Sequence, residues 1–288
     1  MIIKNNHSDS SRLNYIKLRK NDIFILTYIR SGTALAQEII RYLIFGFKQD
    51  VPVAHISPWV DFIAEPIDEI ANRLENQNHR RFMKTHLPFN ALPYSENVKY
   101  LFIGRDGRDI ARSAHNHYIN LTDEFLNYIN SLPQNYGNEI RRPDNNLREY
   151  ILSWIINDGK PLWSFQENIK SIWNVKHLPN VKLMHYNNLN QNLEKSINEI
   201  AEFIEIDVNQ STIKEIAKRC HFSYMKKHSL KTVPLEGIIW KDKEKNYFFK
   251  GKIGEGKKYL TPTENLLYEK LMEERLGYKC ANWLKTGL

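Results

Sequence analysis

The chain alternates short apolar runs with longer stretches in which apolar residues recur every three or four positions. A short apolar run bounded by polar turn residues is typical of a buried parallel strand. Runs of this kind lie at residues 22–28, 81–85, 98–104 and 181–186. Because helical periodicity separates them, the pattern predicts an α/β fold with a central, mainly parallel sheet and helices on both of its faces.

Three helices are predicted around these strands. One runs from Thr33 to about Phe47, and another follows the turn after residue 104 and continues through His117. In the third, apolar residues recur on one helical face, at Leu193, Ile197, Ile200, Ala201 and Ile204. No internal repeat or Pro/Gly/Ser-rich linker divides the sequence, so all 288 residues are expected to form a single domain.

Composition narrows the class of protein. With 42% hydrophobic and 12% aromatic residues, the chain can bury a substantial core, which excludes wholesale disorder. Two cysteines, Cys220 and Cys280, cannot form a disulfide framework and favour a reducing compartment. The first 20 residues have no apolar core of signal-peptide length, and no apolar stretch approaches the roughly 18 residues that span a bilayer. We therefore expect a soluble cytoplasmic protein.

The chain is basic, with 41 Lys and Arg against 33 Asp and Glu and a formal net charge of +8. Such an excess is compatible with nucleic acid, an anionic membrane or a small ligand that carries phosphates. Its basic runs are pairs, such as Arg80-Arg81 and Lys257-Lys258, and are shorter than a polybasic arm. Charge alone therefore does not choose a partner, and most of the excess is expected to be solvated surface.

Ligands of such sheets bind beyond the carboxyl ends of the strands, where the first turn reads Tyr-Ile-Arg-Ser-Gly-Thr at residues 28–33. The following helix N-terminus favours an anion, and the side chains of Arg30, Ser31 and Thr33 add hydrogen-bond donors. The turn lacks the GxxxxGK[ST] pattern of a Walker A loop. An ordinary strand-to-helix turn capped by Ser and Thr is the alternative.

Two further strand ends carry candidate chemistry. Strand alternation places Lys84 and His86 on the same side of their strand, which suits an electrophile and a general base at one reaction centre. Arg105 closes the next strand, and Ser113 follows eight residues later in a helix, so both can contact one phosphate.

His115 and His117 raise the question of a metal site. They are two residues apart on the same predicted helix, which places their side chains about 200° apart. The two imidazoles therefore cannot bind one ion, and no metal site is predicted.

These motifs resemble those of the cytosolic sulfotransferases, which use 3'-phosphoadenosine 5'-phosphosulfate (PAPS). Residues 28–33 look like the family's phosphosulfate loop, commonly Tyr-Pro-Lys-Ser-Gly-Thr-Thr-Trp, and residues 84–88 match its Lys-Thr-His-Leu-Pro segment. Arg105 and Ser113 have the family's spacing for a pair that binds the 3'-phosphate. The likeness runs from about residue 20 to 260, with details of the bacterial branch that has small-molecule acceptors. It implies the sulfotransferase fold, which is similar to that of P-loop NTPases.

The resemblance implies in-line transfer of a sulfuryl group from PAPS to a hydroxyl or an amine, without a metal. His86 would be the general base, and Lys84 and Arg30 would stabilise charge on the sulfuryl group. The residues that it implies for cofactor binding are Arg30, Ser31, Gly32, Thr33, Ala34, Leu35, Arg105, Ser113, Tyr186, Phe222, Lys250 and Gly251.

Several positions depart from the family's pattern. Arg30 replaces a lysine, Ala34 a threonine and Leu35 a tryptophan, while Phe249 replaces an arginine and Gly256 a tryptophan. The change at Ala34 removes a hydroxyl, the change at Leu35 removes a ring that would stack on the adenine, and the change at Phe249 removes a positive charge. We therefore expect weaker cofactor binding, unless nearby lysines compensate.

Acceptor specificity is expected from three segments between the motifs, roughly residues 47–78, 121–146 and 225–248. Their many aromatic residues suit a small aromatic or apolar acceptor, although each could equally belong to the core. Thr232-Val233 is only part of the family's dimer element, so monomer and homodimer stay open. A kinase-like or NTPase-like enzyme, or a non-catalytic protein that binds nucleotides or nucleic acid, is the alternative; the sulfotransferase hypothesis needs neither nucleic acid nor a membrane span.

Overall fold

A computed structural model of the protein describes residues 1–47, 51–160, 162–229, 232–233, 237–243, 247–248 and 251–288. Its centre is a four-stranded parallel sheet in the order β2-β1-β3-β4. The strands are β1 (Ile23–Thr27), β2 (Phe82–Thr85), β3 (Lys99–Gly104) and β4 (Val181–His185). Each lies inside one of the predicted apolar runs, and the predicted fold class is confirmed.

Helices connect the strands and cover the sheet. In the part of the chain that the structure describes, they are α1 (Thr33–Phe45), α2 (Val53–Ile56), α3 (Ile67–Glu75), α4 (Gly107–Ile119), α5 (Asp123–Ser131), α6 (Leu147–Ile156), α7 (Phe165–Trp173), α8 (Tyr186–Gln191), α9 (Leu193–Phe203), α10 (Gln210–Cys220), α11 (Phe222–Lys227), α12 (Pro262–Leu276) and α13 (Tyr278–Thr286). Short 3-10 helices span Ser10–Tyr15, Phe89–Ala91 and Gly256–Tyr259. The predicted helices correspond to α1, α4 and α9; α1 ends two residues early, because Gly46 adopts a φ of 63°.

The sheet separates two apolar cores. Along β1, Phe24 and Leu26 face one core, while Ile23 and Ile25 face the other. The first core contains side chains of α4, α6, α7 and α12, and the second contains side chains of α1, α9 and α10. Each fully buried isoleucine or phenylalanine contributes about 1.5–3 kcal/mol to folding, so both faces of the sheet hold it in place. Among the helices in the described ranges, none is long and apolar enough to cross a bilayer.

The register of the strands brings their carboxyl ends to one edge. Leu26 pairs with Thr85, Thr27 with Ile103, and Gly104 with His185. The residues that follow the four strands therefore lie close together at this edge of the sheet.

Glycine is required at the end of β3. A Cβ atom at Gly104 would lie 2.4 Å from the ring of Trp283, because α13 packs directly against this edge. The close contact fixes the end of β3 next to the turn that carries Arg105.

Candidate active site

A cavity of about 450 Å³ opens at this edge of the sheet. Two groups of residues form most of its lining. The group that we call the basic wall comprises Arg30, Gly32, Thr33, Ala34, Leu35, Arg105, Arg112, Ser113, Tyr186, Phe222, Gly251 and Lys252. The group that we call the aromatic wall comprises His7, Trp59, Phe62, Lys84, His86, His117, Leu121, Phe125, Ile239, Trp240, Tyr247 and Phe248.

The turn between β1 and α1 is built to accept an anion. Gly32 caps α1 with a φ of 105° and no side-chain cap, so the amides of Thr33, Ala34 and Leu35 point out of the helix without an acceptor among the described residues. The Ser31 hydroxyl is buried and also lacks a described partner. A side chain at Gly32 would collide with the ring of Tyr186, only 2.7 Å from an added Cβ.

Arg30 connects the two walls. Its Nε donates a hydrogen bond to the Ser113 hydroxyl at 3.0 Å, and a terminal nitrogen donates to the carbonyl oxygen of Tyr247 at 2.7 Å. The guanidinium also lies 5.0 Å from the centre of the Tyr247 ring. Burial lowers the pKa of Arg30, and Tyr247 opposes that shift. The side chain predicted to stabilise the sulfuryl group thus contacts Ser113, the residue predicted for the 3'-phosphate.

Arg105 and Ser113 both line the basic wall. Arg105 donates to the carbonyl oxygen of Arg30 at 2.8 Å, and its guanidinium stacks 4.3 Å from the ring centre of Tyr186. Arg105 precedes α4, and its guanidinium lies 3.8 Å from the carboxylate of Asp109. Ser113 follows Asp109 by four residues, on the same side of the helix. Arg105 therefore adds a fixed positive charge beside the turn between β1 and α1.

Asp109 holds the loop at residues 251–256, which we call the late glycine loop, in position. The sequence did not indicate this role. Its two carboxylate oxygens accept hydrogen bonds from the amides of Gly254 at 2.8 Å and Gly256 at 2.7 Å. A Cβ atom at Gly256 would lie 2.2 Å from the carbonyl oxygen of Arg108. The backbone therefore approaches α4 too closely for the tryptophan that the family pattern has at this position.

The same loop brings Gly251 against Phe222. Gly251 has a φ of 61°, and an added Cβ would lie 2.4 Å from the Phe222 ring. Both residues line the basic wall. Lys250, which was predicted to bind the cofactor, and Phe249 lie outside the described residues.

The orientation of the His86 ring determines which of its two nitrogens carries the proton. Its Nδ1 lies 2.8 Å from the carbonyl oxygen of Thr27, and a carbonyl oxygen can only accept a hydrogen bond. Nδ1 therefore carries the proton, and Nε2 of the neutral ring has a free lone pair. Burial, reinforced by the charge of Lys84, lowers the pKa of His86 to about 3. The ring packs edge-on against Trp59, with 4.7 Å between centres.

Lys84 is fixed by a small extension of the sheet. Its backbone amide donates to the carbonyl oxygen of Pro58, and its own carbonyl oxygen accepts from the amide of Val60. The intervening Trp59 presents its ring 5.6 Å from Lys84 Nζ. Burial lowers the pKa of Lys84 to about 8, although the carboxylate of Asp61 opposes the shift. The electrophile and base that strand alternation predicted therefore reach the same cavity.

Two histidines of the aromatic wall were not among the predicted site residues. His7 bonds through Nδ1 to Asn6 at 2.7 Å and through Nε2 to the Tyr118 hydroxyl at 3.1 Å. His117 accepts a hydrogen bond from the indole of Trp240 at 3.3 Å. Burial lowers the pKa of His7 to about 4 and the pKa of His117 well below its usual range. The described residues contain no group of three or more metal-ligating side chains that could bind an ion.

Residues 20–279 match the sulfotransferase domain family. The chain belongs to this family. The sulfotransferase is 26% identical over 303 residues to the glycolipid sulfotransferase of Mycobacterium tuberculosis, and the match covers 97% of this chain and 92% of that protein. Family membership confirms the predicted activity: the enzyme transfers a sulfuryl group from PAPS to an acceptor. It favours this activity over the kinase-like and binding-only alternatives.

Solved structures show the same fold. The sulfotransferase superimposes on mouse SULT7A1 complexed with PAP with a TM-score of 0.71 and 24% identity, covering 96% of this chain and 92% of that one. It superimposes on retinol dehydratase in complex with androsterone and the inactive cofactor PAP with a TM-score of 0.73 and 20% identity, covering 93% and 86%.

The basic wall of the sulfotransferase fits a nucleotide that carries two phosphate-like groups. The first-turn amides of α1 have no acceptor among the described residues, and Arg105 and Ser113 line the same cavity. The ring of Tyr186 and the ring of Phe222 supply flat apolar surface beside them.

Proposed function

We propose that this sulfotransferase sulfates the hydroxyl group of a small aromatic or apolar acceptor, with His86 as the general base. The observation that carries the proposal is the contact between His86 Nδ1 and the carbonyl oxygen of Thr27. Because that contact uses one ring nitrogen, the unprotonated nitrogen Nε2 remains available to accept a proton where Trp59 and other aromatic side chains line the cavity.

In the proposed reaction, His86 accepts a proton, and Lys84 and Arg30 stabilise negative charge. When bound, PAPS supplies the sulfuryl group and a phosphate leaving group. His86 Nε2 takes the proton from the acceptor hydroxyl as its oxygen bonds to sulfur, and the bond between sulfur and the bridging oxygen breaks with its electron pair on the phosphate. Lys84 and Arg30 stabilise the negative charge on the sulfuryl and bridging oxygens. Such preorganised donors commonly lower the barrier by roughly 3–4 kcal/mol each.

The basic wall would hold the nucleotide. Ser31, Thr33, the amide of Gly32 and the first-turn amides of Thr33, Ala34 and Leu35 would bind the 5'-phosphosulfate, which the helix dipole of α1 also favours. Arg105 and Ser113 would bind the 3'-phosphate, together with Lys250 and Gly251. Tyr186 and Phe222 would contact the adenine.

The aromatic wall supports the proposed acceptor class. Phe62 comes from the first of the expected acceptor segments, Phe125 from the second, and Trp240 and Tyr247 from the third. The stacked rings of Trp59 and Phe62 lie 4.3 Å apart and offer a flat apolar surface for an aromatic ring. The androsterone bound to the related retinol dehydratase is likewise an apolar molecule with a hydroxyl group.

We further propose that residues 1–288 act as one domain in the cytoplasm. Side chains from the beginning and the end of the chain meet at the same edge of the sheet, since both His7 and Lys252 line the cavity. Both cysteines, Cys220 and Cys280, are buried free thiols, which suits a reducing compartment.

An acceptor panel with PAPS tests the proposal. Phenols, apolar alcohols, arylalkyl amines and a glycolipid are incubated with the enzyme, and sulfated products are quantified by mass spectrometry. We expect the highest kcat/KM for phenols and apolar alcohols, because the aromatic wall buries their rings. Preferred sulfation of the amines or of the glycolipid would overturn the acceptor class.

Two variants test the proposed base. His86→Ala is expected to lower kcat by about a hundredfold or more while leaving the affinity for adenosine 3',5'-bisphosphate unchanged. His115→Ala serves as the matched control, because this imidazole bonds to the carbonyl oxygen of Asp144 and lies outside the cavity lining. Wild-type turnover by a folded His86→Ala enzyme would remove His86 from the mechanism.

A further inference from the structure

His117 presents a hydrogen-bond donor to the cavity. It lies on α4, four residues after Ser113, and its side chain belongs to the aromatic wall. The indole N–H of Trp240 lies 3.3 Å from Nδ1, and an indole N–H can only donate. Nδ1 must therefore be unprotonated, and a neutral imidazole then carries its hydrogen on Nε2.

The neutral form of His117 is favoured by its surroundings. Burial lowers the pKa of His117 well below its usual range, and the positive charge of Arg30 adds to the shift. The other titratable groups that face it from neighbouring elements, His7, His86 and Lys84, lower it further. Among the residues that the structure describes, none accepts a hydrogen bond from Nε2 of His117.

Neighbouring histidines of the aromatic wall have their nitrogens differently engaged. Both ring nitrogens of His7 are used, one by Asn6 and one by the Tyr118 hydroxyl. Nδ1 of His86 is used by Thr27, and its Nε2 is the proposed base. The Nε2–H group of His117 thus differs from both: it is a donor, and it is available to a bound molecule.

The partner that sets this tautomer is itself anchored. The backbone of Trp240 bridges to Leu121, directly after α4, and the adjacent Lys241 amide donates to the carbonyl oxygen of Asn120 at 2.8 Å. The Trp240 ring packs edge-on against His117, with 5.3 Å between centres. Rotating the imidazole to expose Nδ1 instead would break the indole hydrogen bond, so the donor is fixed in the wall.

We propose that Nε2–H of His117 binds an oxygen atom of the acceptor molecule that is distinct from the sulfated hydroxyl. The inference rests on the proposed function and specifies it further: the acceptor is a phenol or apolar alcohol with a second oxygen, such as an ether, a carbonyl or a hydroxyl. A site built to donate to a substrate oxygen disfavours an analogue that lacks it, because the buried N–H loses its partner.

Isosteric phenols test this assignment. The probes are para-alkylphenols of increasing chain length and matched para-alkoxyalkylphenols in which one methylene is replaced by an ether oxygen at each position in turn. For each pair, kcat/KM is measured with PAPS, and the dissociation constant is measured by calorimetry with adenosine 3',5'-bisphosphate present. The proteins are wild type, His117→Phe, His117→Gln and the control His115→Phe, each checked for folding by its Tm.

For one position of the ether oxygen in the probe, we expect the ratio of kcat/KM for the ether to kcat/KM for the alkane to be roughly tenfold higher in wild type than in His117→Phe. His117→Gln keeps an N–H donor and should restore part of this preference, while His115→Phe should retain it. Equal ether-to-alkane ratios in wild type and His117→Phe at every position would overturn the role of His117 but leave the acceptor class intact. Failure of every phenol in this series, and of the apolar alcohols in the acceptor panel, to bind or react would overturn both proposals.

Discussion

His86 Nδ1 lies 2.8 Å from the backbone carbonyl oxygen of Thr27, across the interface between β2 and β1. A backbone acceptor is present whatever side chain occupies the position, so the tautomer of His86 depends on the register of the two strands. The Thr27 hydroxyl adds a second contact, 3.0 Å from Nδ1, and also lies 2.7 Å from the hydroxyl of Thr33 in the anion-binding turn. The proposed base and the cofactor turn are thus joined through one threonine.

Thr27→Val separates these two contacts. The variant keeps the carbonyl oxygen and the shape of the side chain but removes the hydroxyl. We expect kcat to fall by less than about tenfold, because the backbone contact still fixes the tautomer, whereas His86→Ala loses about a hundredfold or more. Steady-state kinetics with PAPS and a phenol measure both. A loss as large in Thr27→Val as in His86→Ala would show that the hydroxyl, and not the carbonyl, orients the ring.

The activity should depend on pH through Lys84. Its pKa of about 8 means that the ammonium is present below that pH and is lost as the pH rises through it, whereas His86, with a pKa of about 3, stays unprotonated above pH 5. We expect kcat/KM for PAPS to be level from pH 6 to 7.5 and to fall by about tenfold per pH unit well above pH 8.

Lys84→Arg provides the control for this profile. A guanidinium stays charged throughout the range, so the alkaline fall should move above pH 10, even if the maximal rate is lower. An unchanged alkaline limb in Lys84→Arg would assign that limb to another group. A fall on the acidic side of pH 7 that His86 variants abolish would contradict the low pKa of His86.

Asp109 should control nucleotide affinity without touching the acceptor. Asp109→Ala removes the acceptors of the Gly254 and Gly256 amides and the anion that lies 3.8 Å from Arg105. The loop and the guanidinium would lose their fixed positions, and we expect the dissociation constant for adenosine 3',5'-bisphosphate to rise by roughly tenfold.

Calorimetry on folded protein measures the effect of Asp109→Ala. Asp123→Ala is the control, since this exposed residue lies at the first turn of α5 and pairs only with Arg142 among the described residues. An unchanged affinity in Asp109→Ala would show that the late loop does not depend on α4 for its position.

The strands and the residues next to them could be predicted because local sequence determines them. A buried run specifies β2, and alternation then places Lys84 and His86 in one cavity. The turn at Arg30 and the eight-residue spacing of Arg105 and Ser113 could also be recognised in the sequence. Ser31 was predicted from the same turn; its hydroxyl is buried and the residue is not part of the cavity lining, so its part in cofactor binding stays a prediction.

The remaining site residues depend on contacts between distant parts of the chain. His7 meets Tyr118 across 111 positions, and Trp240 meets His117 across 123. Gly254 reaches Asp109 across 145 positions. No periodicity or spacing encodes such pairs, since each partner alone is compatible with an ordinary surface or core position. The tight approach at Gly256 likewise becomes visible only when α4 packs against the late loop.

Stability should fall below neutral pH because histidines are buried in the neutral form. The pKa of His7 is about 4 and that of His86 about 3 in the folded protein, against about 6.5 in an unfolded chain. As the pH falls below 6.5, the unfolded state binds protons that the folded state does not. Each of these two histidines should therefore lower the free energy of unfolding by about 1.4 kcal/mol at pH 5.5 compared with pH 7.5.

Urea unfolding at these two pH values measures the loss. His7→Gln removes one of these contributions and should reduce the acid-induced loss by about 1.4 kcal/mol, even if the variant is less stable at both pH values because Tyr118 loses its acceptor. His177→Gln, which removes an exposed imidazole from the surface, is the control. Because the comparison is between two pH values of the same protein, a general loss of packing cancels. The same acid-induced loss in wild type and His7→Gln would show that His7 takes up its proton in the folded state.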